Sequence, residues 1–243
     1  MNHKNPVYKR ILLEISGEMM GEKDKPISPE IMQSLADQLS DLREHNIQIA
    51  IVIGAGNIWR GASNQVTMDR RKADTIGMMA TVVNALALQG VLEKSGVPAS
   101  VLSAINFEPE IEVDKVGPYV GSQAIQCLEN GEVVVFGGGT GNPFFTTDTA
   151  AALRALQIEA DVLLKATKVD GVYSSDPVEN PDAEKFHSLT LEEALEKRLK
   201  VMDAAAFSLC MDNNLPIVVF ALKPEGNIKK VVFGENIGTI LTK

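Results

Sequence analysis

Residues 132–148 read EVVVFGGGTGNPFFTTD: a run of β-branched and aromatic residues from Glu132 to Phe136 breaks into the glycine turn Gly137-Gly138-Gly139-Thr140-Gly141, and a helical pattern starts at Thr147 and runs to Leu156. Such residues favour a buried strand, glycine ends it, and strand–turn–helix is the unit from which parallel sheets are built. The unit recurs upstream. Ile47 to Ile53 (IQIAIVI) ends in Gly54-Ala55-Gly56-Asn57, and Val7 to Ile15, with Ile11, Leu12, Leu13 and Ile15 apolar, ends in Ser16-Gly17. Between these two strands, Ser28-Pro29-Glu30 supplies the hydroxyl, the proline and the acid of a helix start, and Ile31, Leu35, Leu39 and Leu42 follow at helical spacing.

The rest of the chain continues the alternation. Helices are predicted at about Asp69 to Leu92, Tyr119 to Glu129, Thr190 to Leu199, Met202 to Asp212 and Gly226 to Phe233. Strands are predicted at Ala99 to Ser103, Asp161 to Ala166, Ile217 to Phe220 and Thr239 to Thr242, with an acidic segment at Asn106 to Asp114 and a long mixed loop from Asp170 to Ser188. This order predicts an α/β fold with a mostly parallel sheet covered on both faces. No composition break divides it, so residues 1–243 are read as a single domain.

Composition limits the function. At 243 residues and 45% hydrophobic content the chain can bury a large core, and 23% charged residues exclude global disorder. Lys plus Arg is 23 against 32 Asp plus Glu, a net charge of -9, which makes nucleic acid an unlikely partner. Two cysteines, Cys127 and Cys210, and three histidines lie in no zinc or disulfide pattern, so no metal site is expected from them. The N-terminal stretch has no signal-like apolar core and no run of 18 apolar residues occurs, which leads to a cytoplasmic, non-membrane expectation.

In a parallel sheet the carboxyl ends of strands share one edge, so three glycine turns there can form one crevice, with backbone amides suited to phosphate. The chain has neither GxxxxGK[ST] nor GxGxxG, which excludes a P-loop and a dinucleotide fingerprint. Phosphoryl transfer needs cations beside such turns. Arg60 follows the second turn; Thr146, Thr147 and Asp148 follow the third, with Phe144 and Phe145 able to wall a base; Lys165 and Lys168 bracket Thr167. Asp148 is suited either to orienting a lysine or to capping the helix that begins there.

Taken together, Gly141-Asn142-Pro143-Phe144-Phe145-Thr146-Thr147-Asp148, Lys165 to Tyr173 with Asp176-Pro177, and Lys200-Val201-Met202-Asp203 resemble the bacterial uridylate (UMP) kinases of the amino-acid kinase superfamily, and the resemblance runs from Tyr8 to Thr239. It implies a three-layer α/β/α sandwich that moves the γ-phosphoryl of ATP to UMP with Mg²⁺. It implies UMP at Ala55, Asp74, Thr140, Gly141, Asn142, Pro143, Phe144, Phe145, Thr146 and Thr147. ATP is implied along Glu14, Ile15, Ser16, Gly17, Gly56, Arg60, Thr167, Tyr173 and Asp176, with Asp148, Arg60 and Lys165 at the reacting centre. The family is typically a homohexamer with GTP and UTP as effectors.

Three departures stand out. The family's first strand ends Lys-hydrophobic-Ser-Gly-Glu, with the lysine on the transferring phosphates, whereas this chain reads Glu14-Ile15-Ser16-Gly17-Glu18. Losing such a charge-stabilising group costs about 3 kcal/mol of transition-state stabilisation, which opens a second reading as a UMP- or UTP-binding regulatory relative with weakened catalysis. Lys9, Arg10, Arg60 and Lys165 are the cations that can compensate, and restoring lysine at position 14 is expected to raise the rate. Ala55 replaces a usual glycine, and Glu18 to Ser28 is acidic and lysine-rich, unlike the effector segment of many relatives. A third reading, a kinase of the same superfamily acting on an amino acid or carbamate, is opposed by the run Thr140 to Asp148.

Overall fold

A computed structural model of the chain describes residues 5–22, 24–59, 68–106, 116–119, 121–199 and 201–243. In chain order the elements are β1 (Arg10–Ile15), a 3-10 turn (Gly17–Met19), α1 (Pro29–Glu44), β2 (Gln48–Ile53), α2 (Arg70–Lys94), β3 (Ala99–Ser103), β4 (Val116–Pro118), α3 (Gly121–Glu129), β5 (Val133–Gly137) and α4 (Thr147–Gln157). There follow β6 (Val162–Thr167), β7 (Val172–Tyr173), β8 (Lys185–Phe186), β9 (Ser188–Thr190), α5 (Leu191–Glu196), α6 (Ala204–Asp212), β10 (Ile217–Ala221), α7 (Asn227–Val232) and β11 (Thr239–Thr242).

Among the described residues the main sheet has the order β4-β3-β5-β2-β1-β6-β10-β11-β9, and every neighbouring pair is parallel except β10 with β11. Near-continuous apolar strands such as Ile11 to Leu13 and Ile49 to Ile53 are what a parallel sheet buried on both faces requires. Alternation then sorts the side chains. Ile11, Leu13 and Ile15 join Met32, Leu35 and Leu39 of α1, Leu88 of α2 and Ile228 of α7 in one core. Leu12, Val52 and Leu163 join Ala151 and Ala155 of α4 and Phe207 of α6 in the other. The result is the three-layer α/β/α sandwich.

Helix α1 starts as its sequence dictates: the Ser28 hydroxyl accepts from the Ile31 N–H at 3.4 Å and Pro29 opens the first turn, a cap contributing about 1 kcal/mol. Helix α2 is long and apolar enough, by length and composition alone, to cross a membrane. Its Ala73, Ala80, Ala85, Leu88 and Leu92 are buried within the fold. The loop expected from Asp170 to Ser188 instead holds the antiparallel ribbon β7–β8, and β9 begins at Ser188 and pairs with β11. Strands of two or three residues carry no periodicity to read. Helix α3 begins at Gly121 rather than at Tyr119, whose N–H donates to the Ser103 carbonyl at 2.9 Å. Of the acidic segment, residues 107–114 lie outside the described residues.

Helix α1 joins β1 to β2 on one face of the sheet, and α4 joins β5 to β6 on the other. The connections therefore diverge at β1, and a crevice opens at its carboxyl end, where open α/β sheets place their ligands.

Candidate active site

Strand register brings the first chemistry together. Glu14 on β1 is the parallel partner of Lys165 on β6, and the Lys165 ammonium donates to the two Glu14 carboxylate oxygens at 3.1 and 2.8 Å. It also donates to Asp148 Oδ1, from the first turn of α4, in a close contact. Glu14 is 4% exposed. Burial pushes its carboxyl up to about 8, the Lys165 ammonium only partly offsetting this while Asp148 adds to it. Burial pulls on Lys165 in the opposite sense, but the carboxylates of Glu14 and Asp148 outweigh it and hold the ammonium above its ordinary range. With both carboxyls ionised, this cluster has one net negative charge.

The first two glycine turns cross beside the head of α4. A Cβ on Gly17 would lie 2.3 Å from the Gly54 carbonyl oxygen and 2.6 Å from the Gly56 nitrogen, so only glycine lets the first two turns cross. The Gly54 N–H donates to the Ile15 carbonyl at 2.9 Å, and a Cβ on Gly54 would meet the Thr147 hydroxyl at 3.6 Å, which sets the head of α4 against both turns. In the third turn Gly138, Gly139 and Gly141 have φ of 78°, 60° and 79°, the left-handed region that glycine enters freely.

Three anchors of this edge, Asn84, Thr81 and Arg154, went unread in the sequence, and a fourth, Asp203, was named there only within a resemblance motif without a role. Buried Asn84 donates to the Gly54 carbonyl at 2.8 Å and exchanges amide bonds with Asn57 at 2.9 Å. Thr81 accepts from the Gly138 N–H at 2.8 Å, and buried Arg154 donates to the Gly139 carbonyl at 3.1 Å while lying 3.9 Å over the Tyr119 ring. Asp203 accepts from the hydroxyls of Thr146 and Thr149, caps α6 through the Ala206 N–H at 2.7 Å, and donates its own N–H to Asp148 Oδ2 at 3.3 Å. Their common signal is a polar residue on an otherwise apolar helix face or at a helix start, since a buried polar group must find a partner.

The chain matches the amino acid kinase family over residues 9–221. The uridylate kinase of Bacteroides thetaiotaomicron is 51% identical over 237 residues, which span 96% of this chain and 98% of that protein. The chain belongs to the amino acid kinase family, among its uridylate kinases. Solved structures agree. The UMP kinase of Bacillus anthracis superposes with a TM-score of 0.90 at 34% identity, covering 97% of this chain and 96% of that one. The UMP kinase of Ureaplasma parvum gives 0.89 at 38% identity, covering 97% and 99%.

On this uridylate kinase framework the expected UMP residues form a partly assembled surface. Asp74 accepts from the Phe144 N–H at 2.8 Å, which ties α2 to the loop before α4 and holds Phe144 at a φ of 73°. Phe144 and Phe145 are 58% and 53% exposed, and the Arg70 guanidinium lies 5.4 Å from the Phe144 ring centroid. Thr140 and Asn142 bond each other across the turn through Gly141, and Pro143 continues into Phe144. Thr146, not Asp148, caps α4, accepting from the Asp148 and Thr149 amides at 3.1 and 3.4 Å. That leaves the Asp148 carboxylate to the lysine. Ala55 keeps its φ out of the left-handed region, so its methyl group is tolerated.

Of the expected ATP residues, Glu14, Ile15, Ser16 and Gly17 close the end of β1, Gly56 lies against the Glu18 side chain, and Thr167 ends β6 with its hydroxyl donating to the Val169 carbonyl at 2.6 Å. Tyr173 lies on the β7–β8 ribbon and Asp176 in the loop after β7. The Tyr173 hydroxyl donates to Asp170 at 2.7 Å, and Asp176 accepts from the Val178 N–H at 2.8 Å. Arg60 lies outside the described residues. Arg10 does not compensate for Glu14, because its guanidinium is spent at the other end of β1 on Gln48 and the Ile158 carbonyl at 2.6 and 2.7 Å.

Proposed function

We propose that this protein is a UMP kinase: a UMP phosphate oxygen attacks the γ-phosphorus of ATP in line, and UDP and ADP leave. The observation that carries the reading is the Lys165 ammonium held by Asp148 at the head of α4, at the carboxyl edge of the sheet where the first two glycine turns cross, in a chain 51% identical to a uridylate kinase. Lys165 offers the charge that the transferring phosphoryl group needs, and Asp148 aims it. Phe144 and Phe145 wall the acceptor's base, and the family resemblance assigns Arg60, which is outside the described residues, to the donor's phosphates. Among the described residues no cluster of three or more Asp, Glu, His or Cys side chains could cage a metal, which fits Mg²⁺ that arrives on the triphosphate and keeps much of its water while neutralising phosphate charge.

The same reading takes residues 1–243 as one amino-acid-kinase-like domain in a cytoplasmic homohexamer responsive to GTP and UTP. Exposed Ile76, Met79 and Val83, on one side of α2, support self-association. The test is ADP release from MgATP in the presence of UMP, CMP, dTMP, glutamate or aspartate, beside UMP binding followed through Trp59 fluorescence. Turnover selective for UMP is expected. Turnover with an amino acid instead overturns the reading, and UMP binding with no turnover favours the regulatory alternative.

A further inference from the structure

With Glu14 ionised, the reacting edge has the wrong sign for the phosphates it is proposed to take. The neighbours of Glu14 are few. Strand β2 brings no ionisable side chain beside it, β6 brings Lys165, and α4 brings Asp148. Farther along α4, the Arg154 guanidinium is spent on Gly139 and Gln157; at the head of α6, Asp203 is spent on Thr146, Thr149 and Ala206. Of these groups only Lys165 offsets Glu14, and it is shared with Asp148.

Phosphate oxygens entering this edge compete with Glu14 for the three N–H donors of one ammonium. If they win, Glu14, itself 4% exposed, becomes an uncompensated carboxylate, the least favourable state for a buried charge. A proton removes that charge, and the resulting O–H can donate to Asp148.

We propose that Glu14 takes up one proton from solvent when nucleotide phosphates bind, so that Lys165 passes from Glu14 to the phosphate while keeping its own proton. Glu14 is then a positioning residue that stores Lys165 beside Asp148 until a ligand arrives. Its carboxyl, pushed up to about 8 by burial, is ionised and able to accept that proton only above that value, so the uptake belongs to mildly alkaline solution. The inference rests on the kinase reading above.

Isothermal titration calorimetry of the full chain with the magnesium complex of adenylyl imidodiphosphate, a non-transferring ATP analogue, tests it. Titrations at about pH 8.5 in two buffers of different ionisation heat count protons, and the analogue contributes none, since phosphate second ionisations lie near ~6. Uptake approaching one proton per site is expected, fading toward about pH 6.5, with Kd rising up to about tenfold per pH unit above about 8.5. In Glu14→Gln the uptake falls to near zero and Kd becomes flat with pH. Analogue binding without uptake in the wild type, or uptake that survives in Glu14→Gln, overturns the proposal. Infrared difference spectra of the wild type at about pH 8.5 give a check that does not depend on the variant's folding: binding must create a protonated-carboxyl band, and its absence is equally decisive against the idea. If neither the analogue nor UMP binds, the kinase reading falls as well, whereas binding without proton uptake removes only this inference.

Discussion

Replacing an ionised Glu14 with lysine turns the net charge of the Glu14–Asp148–Lys165 cluster from one negative to one positive, and replacing a protonated one turns it from zero to one positive, because the new ammonium joins Lys165 rather than opposing it. The Glu14→Lys variant is therefore expected to raise kcat for UMP with MgATP by roughly a hundredfold. The check is steady-state turnover with circular dichroism to establish folding, and an unchanged or lower rate in a folded variant counts against position 14 facing the phosphates. The sequence made the acid at position 14 conspicuous but could not show its partner. Lys165 is 151 residues away, and only the β1–β6 register makes the two adjacent. The same holds for Asp74 and Phe144, whose contact spans 70 positions.

Helix α4 presents Asp148 and Thr147 to the crevice, and its first turn is gripped by Asp203 from the head of α6. Asp203→Ala removes the α6 cap and both threonine contacts in one step, for an expected loss of about 1–2 kcal/mol. Because it also frees the head of α4, kcat is expected to fall about tenfold with KM for UMP little changed. Thermal melts and a full kinetic fit check this, and a variant with wild-type melting and kcat would show that Asp203 does not hold the helix. Elements like these were legible where the signal is local. Ser28-Pro29 announced α1, and Ala99 to Ser103 was read at its observed limits. The β7–β8 ribbon and β9 were missed because their short pairings depend on distant or antiparallel partners rather than on their own residues.

The fold as a whole tolerates a buried acid at its centre, and its stability should record this. Folding moves the Glu14 carboxyl from 4.5 to about 8, so in that window the native state binds more protons than the unfolded chain, and stability falls as pH rises. Lys165, raised above 10.5, stabilises the fold throughout that range and loses this effect only at more alkaline pH. Urea unfolding at about pH 6 and 8.5 is expected to show a wild-type loss exceeding that of Glu14→Gln by up to a few kcal/mol; equal pH dependence in the two proteins would contradict it. The α/β alternation and the meeting of glycine turns at one sheet edge were both visible in the chain's pattern, whereas which strand neighbours which was not, since order is set by packing across the whole molecule. That order has a consequence for biogenesis. β1 emerges early from the ribosome, and β2 can cover one of its sides soon afterwards, but its other side waits for residues 162–167. Until then the nascent chain exposes a naked, strongly apolar strand edge, the kind of surface that invites aggregation and that holdase chaperones shield during synthesis.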